Sequence, residues 1–209
     1  MGVNTLGEQT VEWQGAYLEA GTWFAETCTR ASDSLDAPGL GEWSVRDLMG
    51  HASRALSTVE AYLIDDTEEP VTLGSAVEYF ATALRTDPRQ IAARGREAGA
   101  ALGPEPATAV PELARRVGER VVAAPGTARV RTPFGTMLLA EYLPTRTFEL
   151  AVHTGDLLRA VGEEAAGPEL AIRSALRLAA DLGQHRGHGA SLLAYLTGRA
   201  GLADDFTVL

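Results

Sequence analysis

The segment RTFELAVHTGDL, residues 146–157, places a carboxylate and an imidazole four residues apart, at Glu149 and His153. On a helix, side chains at this spacing leave the same face, with their Cβ atoms about 5–6 Å apart. A carboxylate and an imidazole that close can bind the same divalent cation. The same spacing also fits a surface pair that stabilises a helix by roughly 0.3 kcal/mol. A metal centre therefore requires a third ligand from elsewhere in the chain.

The candidate third ligand is His51, which lies in another predicted helix about a hundred residues earlier. Ser44 has the type and position of an N-cap residue, and Asp47 at the third helical position completes an approximate capping box. Leu48 and Leu56 place His51 near an apolar face. A lone helical histidine is more often structural or exposed than a ligand, so this position permits a metal site without establishing one.

Two charged residues are spaced to support the Glu149–His153 pair. Arg146 lies three residues before Glu149 and is placed to orient its second carboxylate oxygen. Asp156 lies three residues after His153 and is placed to accept the free ring N–H, as a carboxylate behind a metal-bound histidine commonly does. These neighbours favour the metal hypothesis over a plain surface pair.

Apolar periodicity and turn residues predict a largely helical chain. Helices are expected over about 6–31, 44–64, 73–101 with a break near Pro88, 106–122, 136–161, 168–183 and 191–197. The stretch APGTARVRTPFG is the plausible strand material, as a short extended pair. Long helices with short links indicate an antiparallel bundle, whose facing helices can contribute converging ligands. We therefore expect one all-α domain over residues 1–209, with extra short helices and a small β-hairpin.

Composition narrows the class of protein. The formal net charge of −10 argues against nucleic acid and anionic membrane surfaces as partners. No apolar run approaches the 18 or so residues that a membrane span needs, and the N-terminal stretch lacks the features of a secretory signal. The single cysteine, Cys28, is best interpreted as a small buried hydrophobe. We expect a cytoplasmic protein and leave its oligomeric state open between monomer and dimer.

A second histidine pair, His185 and His188, has a spacing that can bind metal. Three glycines surround it, at positions 183, 187 and 189. Glycine is typical of helix ends, and histidine cations suit a helix C-terminus. We interpret this segment as a helix terminus.

Two longer motifs resemble a known family. GEWSVRDLMGHASRAL around His51 and LPTRTFELAVHTGDLLRAVG around His153 look like the two signatures of the mycothiol-dependent maleylpyruvate isomerase family, within the DinB-like metal-binding superfamily. The first signature is a Trp-Ser/Thr-Val-x-Asp-Leu helix start followed by a histidine. The second is Arg-x-x-Glu-x-x-x-His-x-x-Asp-Leu. The resemblance covers most of the chain, including the closing LLAYLTGR and FTVL segments.

The resemblance implies a DinB-like four-helix bundle in which His51, Glu149 and His153 bind the metal. It also implies mycothiol as the thiol cofactor or co-substrate. Isomerases of this family carry an additional C-terminal domain that this chain is too short to contain, which favours S-transfer slightly over isomerisation. The family's substrate-side arginine lies in the third helical region, where Arg85 and Arg89 are candidates.

Together, residues and resemblance predict an enzyme with a divalent metal, most simply Zn²⁺, that activates a thiolate toward a small electrophilic substrate. Arg146 and Asp156 complete the catalytic set by holding two of the ligands in place. Two alternatives remain: a hydrolase that uses metal-bound water, and a non-catalytic bundle that binds metal or a small ligand. The missing fourth protein ligand favours the open-site interpretations.

Overall fold

Helices make up most of the part of the chain that the computed structural model describes, residues 5–64 and 68–209. In chain order they are α1 Thr5–Arg30, α2 Val45–Tyr62, α3 Ala76–Ala83, α4 Pro88–Ala101, α5 Pro106–Ala123, α6 Leu139–Ala160, α7 Glu169–His185 and α8 Gly189–Leu196, with a short 3₁₀ helix at Ala31–Ser34. The strands are β1 Leu63–Ile64, β2 Arg129–Thr132 and β3 Gly135–Leu138. This confirms the predicted all-α bundle with a small β element.

Four helices form the central bundle. α1 packs on α6, α6 on α2, α2 on α5, and α5 on α1, which closes a ring around the apolar core. Two tyrosine hydroxyls are satisfied inside this core: Tyr17 donates to the Ala55 carbonyl at 3.1 Å, and Tyr142 to the Thr58 hydroxyl at 3.0 Å. α7 covers α6 and α1, while α4 lies outside the ring against α2. None of the described helices is long and apolar enough to cross a membrane.

The predicted start of α2 is confirmed by its capping interactions. The Asp47 backbone N–H donates to the Ser44 hydroxyl at 3.2 Å, and the Ser44 backbone N–H donates to the Asp47 carboxylate at 3.1 Å. Both halves of the capping box are therefore present at the start of α2. Asp87 caps α4 by accepting from the Arg89 backbone N–H, with Pro88 at the first helical turn.

The sheet is larger than predicted. β2 and β3 form the expected antiparallel hairpin, with Val130 opposite Met137. β1 adds a third strand, pairing Leu63 with Val130, and two residues are too few to show an alternating pattern in sequence. The helix expected from residue 136 begins at Leu139 because residues 135–138 complete the hairpin. β1 directly continues α2 and β3 leads directly into α6, so the sheet joins these two helices at one end.

The backbones of α2 and α4 approach each other closely at two glycines. A Cβ on Gly50 would overlap the Gly99 backbone, and a Cβ on Gly99 would come within 2.8 Å of the Arg46 carbonyl oxygen. Both overlaps involve backbone, which cannot rotate away as a side chain can. Glycine is therefore required here by the distance between the helices.

Replacing Gly50 with alanine should destabilise the protein even though alanine is the better helix former. We expect the free energy of unfolding to fall by about 2 kcal/mol, since overpacking costs about 1–3 kcal/mol. Chemical denaturation measures this change. The matched control is Gly21→Ala in α1, where the new Cβ meets only the Leu56 side chain at 3.5 Å. That variant should gain up to about 1 kcal/mol from helix propensity; equal effects of the two substitutions would contradict the assignment.

Candidate metal centre

The three candidate ligands converge between α2 and α6. His51 lies in the second turn of α2, and Glu149 and His153 lie one turn apart in α6. The His51 Nε2 is 3.8 Å from the Glu149 Oε2, and the His153 Nε2 is 3.4 Å from the same oxygen. Each residue offers one ligand atom, and the three atoms lie within 4.8 Å of one another. The packing of α2 against α6 thus brings together residues that the sequence alone could only place on two separate helices.

This geometry fits a small divalent cation. Ligand atoms about 2.0–2.1 Å from a tetrahedral metal are separated from each other by about 3.3 Å. The observed separations of 3.4 and 3.8 Å from the Glu149 oxygen need only a slight contraction. The two imidazole rings stand nearly perpendicular, at 84° with centroids 4.7 Å apart, so their nitrogens approach the carboxylate from different directions. The set of two imidazoles and one carboxylate is the kind found in open zinc sites.

Asp156 occupies the position expected from sequence. Its Oδ2 lies 3.0 Å from the His153 Nδ1, and Arg159 forms an ion pair with its other oxygen. A proton on Nδ1, donated to this carboxylate, leaves the Nε2 of a neutral His153 free to act as a ligand. By contrast, the Nδ1 of His51 is buried and has no hydrogen-bond partner among residues 5–64 and 68–209.

The guanidinium of Arg146 is placed differently from the prediction that it orients the Glu149 carboxylate. No hydrogen bond or ion pair joins it to Glu149 among the described residues; its Nε donates to the Thr145 hydroxyl at 2.9 Å. The guanidinium carbon lies 5.1 Å from the Tyr79 ring centroid and 4.9 Å from that of Tyr142. The two ring centroids are themselves 5.5 Å apart, so the guanidinium lies beside both rings. There it is a buried cation whose charge favours the Glu149 carboxylate. Arg146 therefore affects Glu149 through its charge, without direct contact.

The two histidines have opposite electrostatic environments. Burial, together with the charge of His153, lowers the pKa of His51 to about 4, so His51 is neutral at pH 7. Burial also disfavours charge on His153, but hydrogen bonds to Asp156 and Glu149 outweigh it and raise its pKa to about 9. Burial opposes ionisation of Glu149 as well, yet His153 and Arg146 lower its pKa to about 2. Without a metal, the centre therefore holds one proton on His153, which it must lose to become a ligand.

Trp43 forms a wall of the site that sequence reasoning did not assign. Its ring lies against that of His51, with centroids 4.5 Å apart, and its Nε1 donates to the Ala92 carbonyl at 3.3 Å. A Cβ on Gly95 would come within 2.9 Å of the Trp43 ring. Because Gly95 has no side chain, α4 leaves room for the Trp43 indole, which covers His51.

Two adjoining cavities open beside the ligands. His51 and Glu149 line a small cavity of about 140 Å³. It shares Arg54, Arg94 and four other lining residues with a second cavity of about 500 Å³. Of the two arginines proposed for the substrate side, Arg85 lines the larger cavity and Arg89 lines neither.

Sequence reasoning missed Arg54 and Arg94. A signal existed for Arg54, because a residue three positions after His51 on a helix lies on the same face. No comparable signal existed for Arg94, which reaches the site through the packing of α4 on α2. The second histidine pair lies where helix-terminus residues were predicted: His185 ends α7, and His188 immediately precedes α8.

The raised pKa of His153 predicts how the unfolding free energy depends on pH in protein that has been treated with a chelator to remove metal. The folded pKa of about 9 lies above the ordinary histidine value of about 6.5, so the resulting stabilisation is complete below pH 6.5 and is lost as pH rises through 9. Between these pH values the unfolding free energy of the wild type should fall by roughly 3 kcal/mol more than that of His153→Gln. Urea denaturation at several pH values measures the difference. Parallel pH profiles for the two proteins would contradict it.

A family model described as the mycothiol maleylpyruvate isomerase N-terminal domain matches residues 16–158, about two thirds of the chain. The matched range contains the three converging candidate ligands together with Arg146 and Asp156. No curated protein and no solved structure gives a significant match. The two signatures around His51 and His153 thus belong to a match that runs from α1 into the last turn of α6. The chain belongs to the mycothiol maleylpyruvate isomerase N-terminal domain family.

Proposed function

We propose that this protein is a divalent-metal-dependent enzyme that uses a low-molecular-weight thiol, mycothiol, to convert a small electrophilic substrate. The observation that carries the proposal is the convergence of His51, Glu149 and His153 within 4.8 Å, beside a cavity lined by two of them. The family name, which contains both mycothiol and an isomerase, supports a thiol as the reacting partner.

The ligand set favours a metal that is open to an exogenous ligand. Structural zinc normally has four protein ligands, usually including cysteine. Within the described part of the chain, the group around Glu149 comprises three residues, and the single cysteine, Cys28, is buried in α1. A fourth position is thereby left for a small molecule. Zn²⁺ is the metal that suits this donor set best.

When bound, a divalent metal at this site would supply the charge that makes a coordinated thiol lose its proton near neutral pH. The chain's own residues prepare the site for this chemistry. His51 is already neutral, Asp156 fixes the orientation of the His153 ring, and Trp43 shields one face of His51. Arg146 is a cation beside two tyrosine rings, and together with His153 it favours the ionised form of Glu149.

Two outcomes are compatible with a thiol in this cavity. In S-transfer, the sulfur forms a bond to an electrophilic carbon, the leaving group departs with the bonding electron pair, and the product keeps the sulfur. In isomerisation, the sulfur adds to a double bond, the resulting single bond rotates, and elimination of the thiol restores the double bond. Both outcomes require the thiolate, so the proposal covers both.

Hydrolysis by a metal-bound water is the second candidate. It would require a general base near the water, and a carboxylate is the usual choice in such enzymes. Among the described residues lining the small cavity, Glu149 is the only carboxylate, and it is one of the proposed ligands. The thiol enzyme is therefore the better-supported function.

The metal assignment predicts a clear pattern of zinc content. After zinc loading and dialysis, the wild type should retain about one metal ion per chain by elemental analysis, whereas His51→Ala and His153→Ala should retain little. Asp156→Asn keeps all three ligands and should weaken zinc affinity about 10–100-fold. His185→Ala alters an exposed histidine outside the site and serves as the control. Undiminished zinc in both ligand variants would overturn the assignment.

The thiol assignment predicts that mycothiol binding depends on both the metal and the free sulfur. Calorimetric titration should show binding to the zinc-loaded protein and at least ten-fold weaker binding to the chelated protein. S-methyl mycothiol preserves the sugar part and removes the thiol proton, so it should bind as weakly as mycothiol binds to the metal-free protein. Equal mycothiol affinity with and without zinc would redirect the proposal to hydrolysis.

A further inference from the structure

We infer that Trp43 is a positioning residue of the candidate metal centre, and that its indole holds the plane of the His51 ring. The inference rests on the proposed function in taking His51 to be a metal ligand. It adds a residue that lines neither of the two cavities beside the ligands and acts on the metal through His51.

The two candidate histidine ligands differ in what holds their rings. A metal-binding histidine almost always donates its second ring N–H to an acceptor, which fixes the orientation of the ring. His153 has such a partner, because its Nδ1 lies 3.0 Å from the Asp156 Oδ2. The Nδ1 of His51 is buried and forms no hydrogen bond with the described residues, 5–64 and 68–209. The His51 ring therefore needs a different kind of support.

Trp43 provides this support by stacking. Its ring centroid is 4.5 Å from that of His51, and the two ring planes are inclined by 33°. Aromatic rings in such contact attract each other, and rotation of the imidazole out of its plane would drive its edge into the indole. The lone pair of a ring nitrogen lies in the plane of the ring. Holding that plane therefore fixes the direction from which the His51 Nε2 can bind a cation.

Trp43 is itself held in place from its backbone and from α4. Its backbone N–H donates to the Leu40 carbonyl at 3.0 Å, and its Nε1 donates to the Ala92 carbonyl at 3.3 Å. A Cβ on Gly95 would come within 2.9 Å of the indole Cζ2. The indole thus contacts both α4 and His51, so that a change in α4 at this point can reach the metal ligand through Trp43.

Competition with a chelator measures the zinc affinity that tests this inference. Trp43→Leu removes the ring and should weaken zinc binding about ten-fold, as the loss of a hydrogen-bonded partner behind a ligand does. Trp43→Phe keeps an aromatic ring against His51 and should bind zinc within about three-fold of the wild type. Trp23→Leu is the matched control, because Trp23 belongs to the apolar core and is 9% exposed. It should lower the free energy of unfolding, measured with urea, and leave zinc affinity unchanged.

The visible absorption of Co²⁺ bound in place of Zn²⁺ reports the ligand geometry and separates positioning from a general loss of stability. Trp43→Leu should change these bands, whereas Trp43→Phe and Trp23→Leu should preserve them. Gly95→Ala should change them as well, because its new Cβ displaces the indole. In the Trp43→Phe background, which lacks the indole Nε1 and Cζ2, the same Gly95→Ala substitution should have little effect.

Wild-type zinc affinity and Co²⁺ bands in Trp43→Leu would overturn this inference and leave the proposed metal centre in place. Equal losses of zinc affinity in Trp43→Leu and Trp23→Leu would also overturn it, as would an effect of Gly95→Ala that persists in the Trp43→Phe background. If the wild type itself retains no zinc, the proposed function fails, and this inference fails with it.

Discussion

The contact between Gly50 and Gly99 is the constraint on which the site depends most. Because neither residue has a Cβ, α4 can lie with its backbone directly against α2. This approach presents Gly95 to the Trp43 ring, which in turn covers His51. It also carries Arg94 to the cavity beside that histidine. A helix outside the central bundle thus becomes part of the site through one backbone contact.

A second feature of the candidate site is that Arg146 acts on Glu149 without a direct hydrogen bond or ion pair among the described residues. Arg146 lies beside two tyrosine rings, and among the described residues no hydrogen bond joins it to Glu149, so it occupies neither carboxylate oxygen. A direct ion pair at the same place would occupy one of those oxygens and compete with any cation. The two tyrosine rings hold the cation near the carboxylate, where its charge favours ionisation of Glu149 without a direct ion pair.

Local features of the sequence predicted most of the helices and some of the contacts in the candidate site. The capping box at Ser44 and the contact between His153 and Asp156 depend on residues within one helical turn, and both are as predicted. The direct contact of Arg146 with Glu149 also satisfied the local spacing but was wrong, because the rings of Tyr79 and Tyr142 bind the guanidinium instead. The position of Arg94 depends on packing between elements, for which a single sequence carries no local signal.

The small sheet joins the two helices that carry the candidate ligands. His51 lies twelve residues before Leu63, where α2 enters β1, and the midpoint of Glu149 and His153 lies twelve residues after Leu139, where α6 leaves β3. At 1.5 Å per residue, both sets of candidate ligands lie about 18 Å along the helices from the strands, on helices that run in opposite directions. Inserting one residue between the strand and the candidate ligands of either helix would move those side chains by about 1.5 Å along the helix axis. It would also turn them by about 100° around that axis. A change of length in a loop would therefore leave the candidate ligands facing each other, whereas one between the strands and the candidate ligands would separate them.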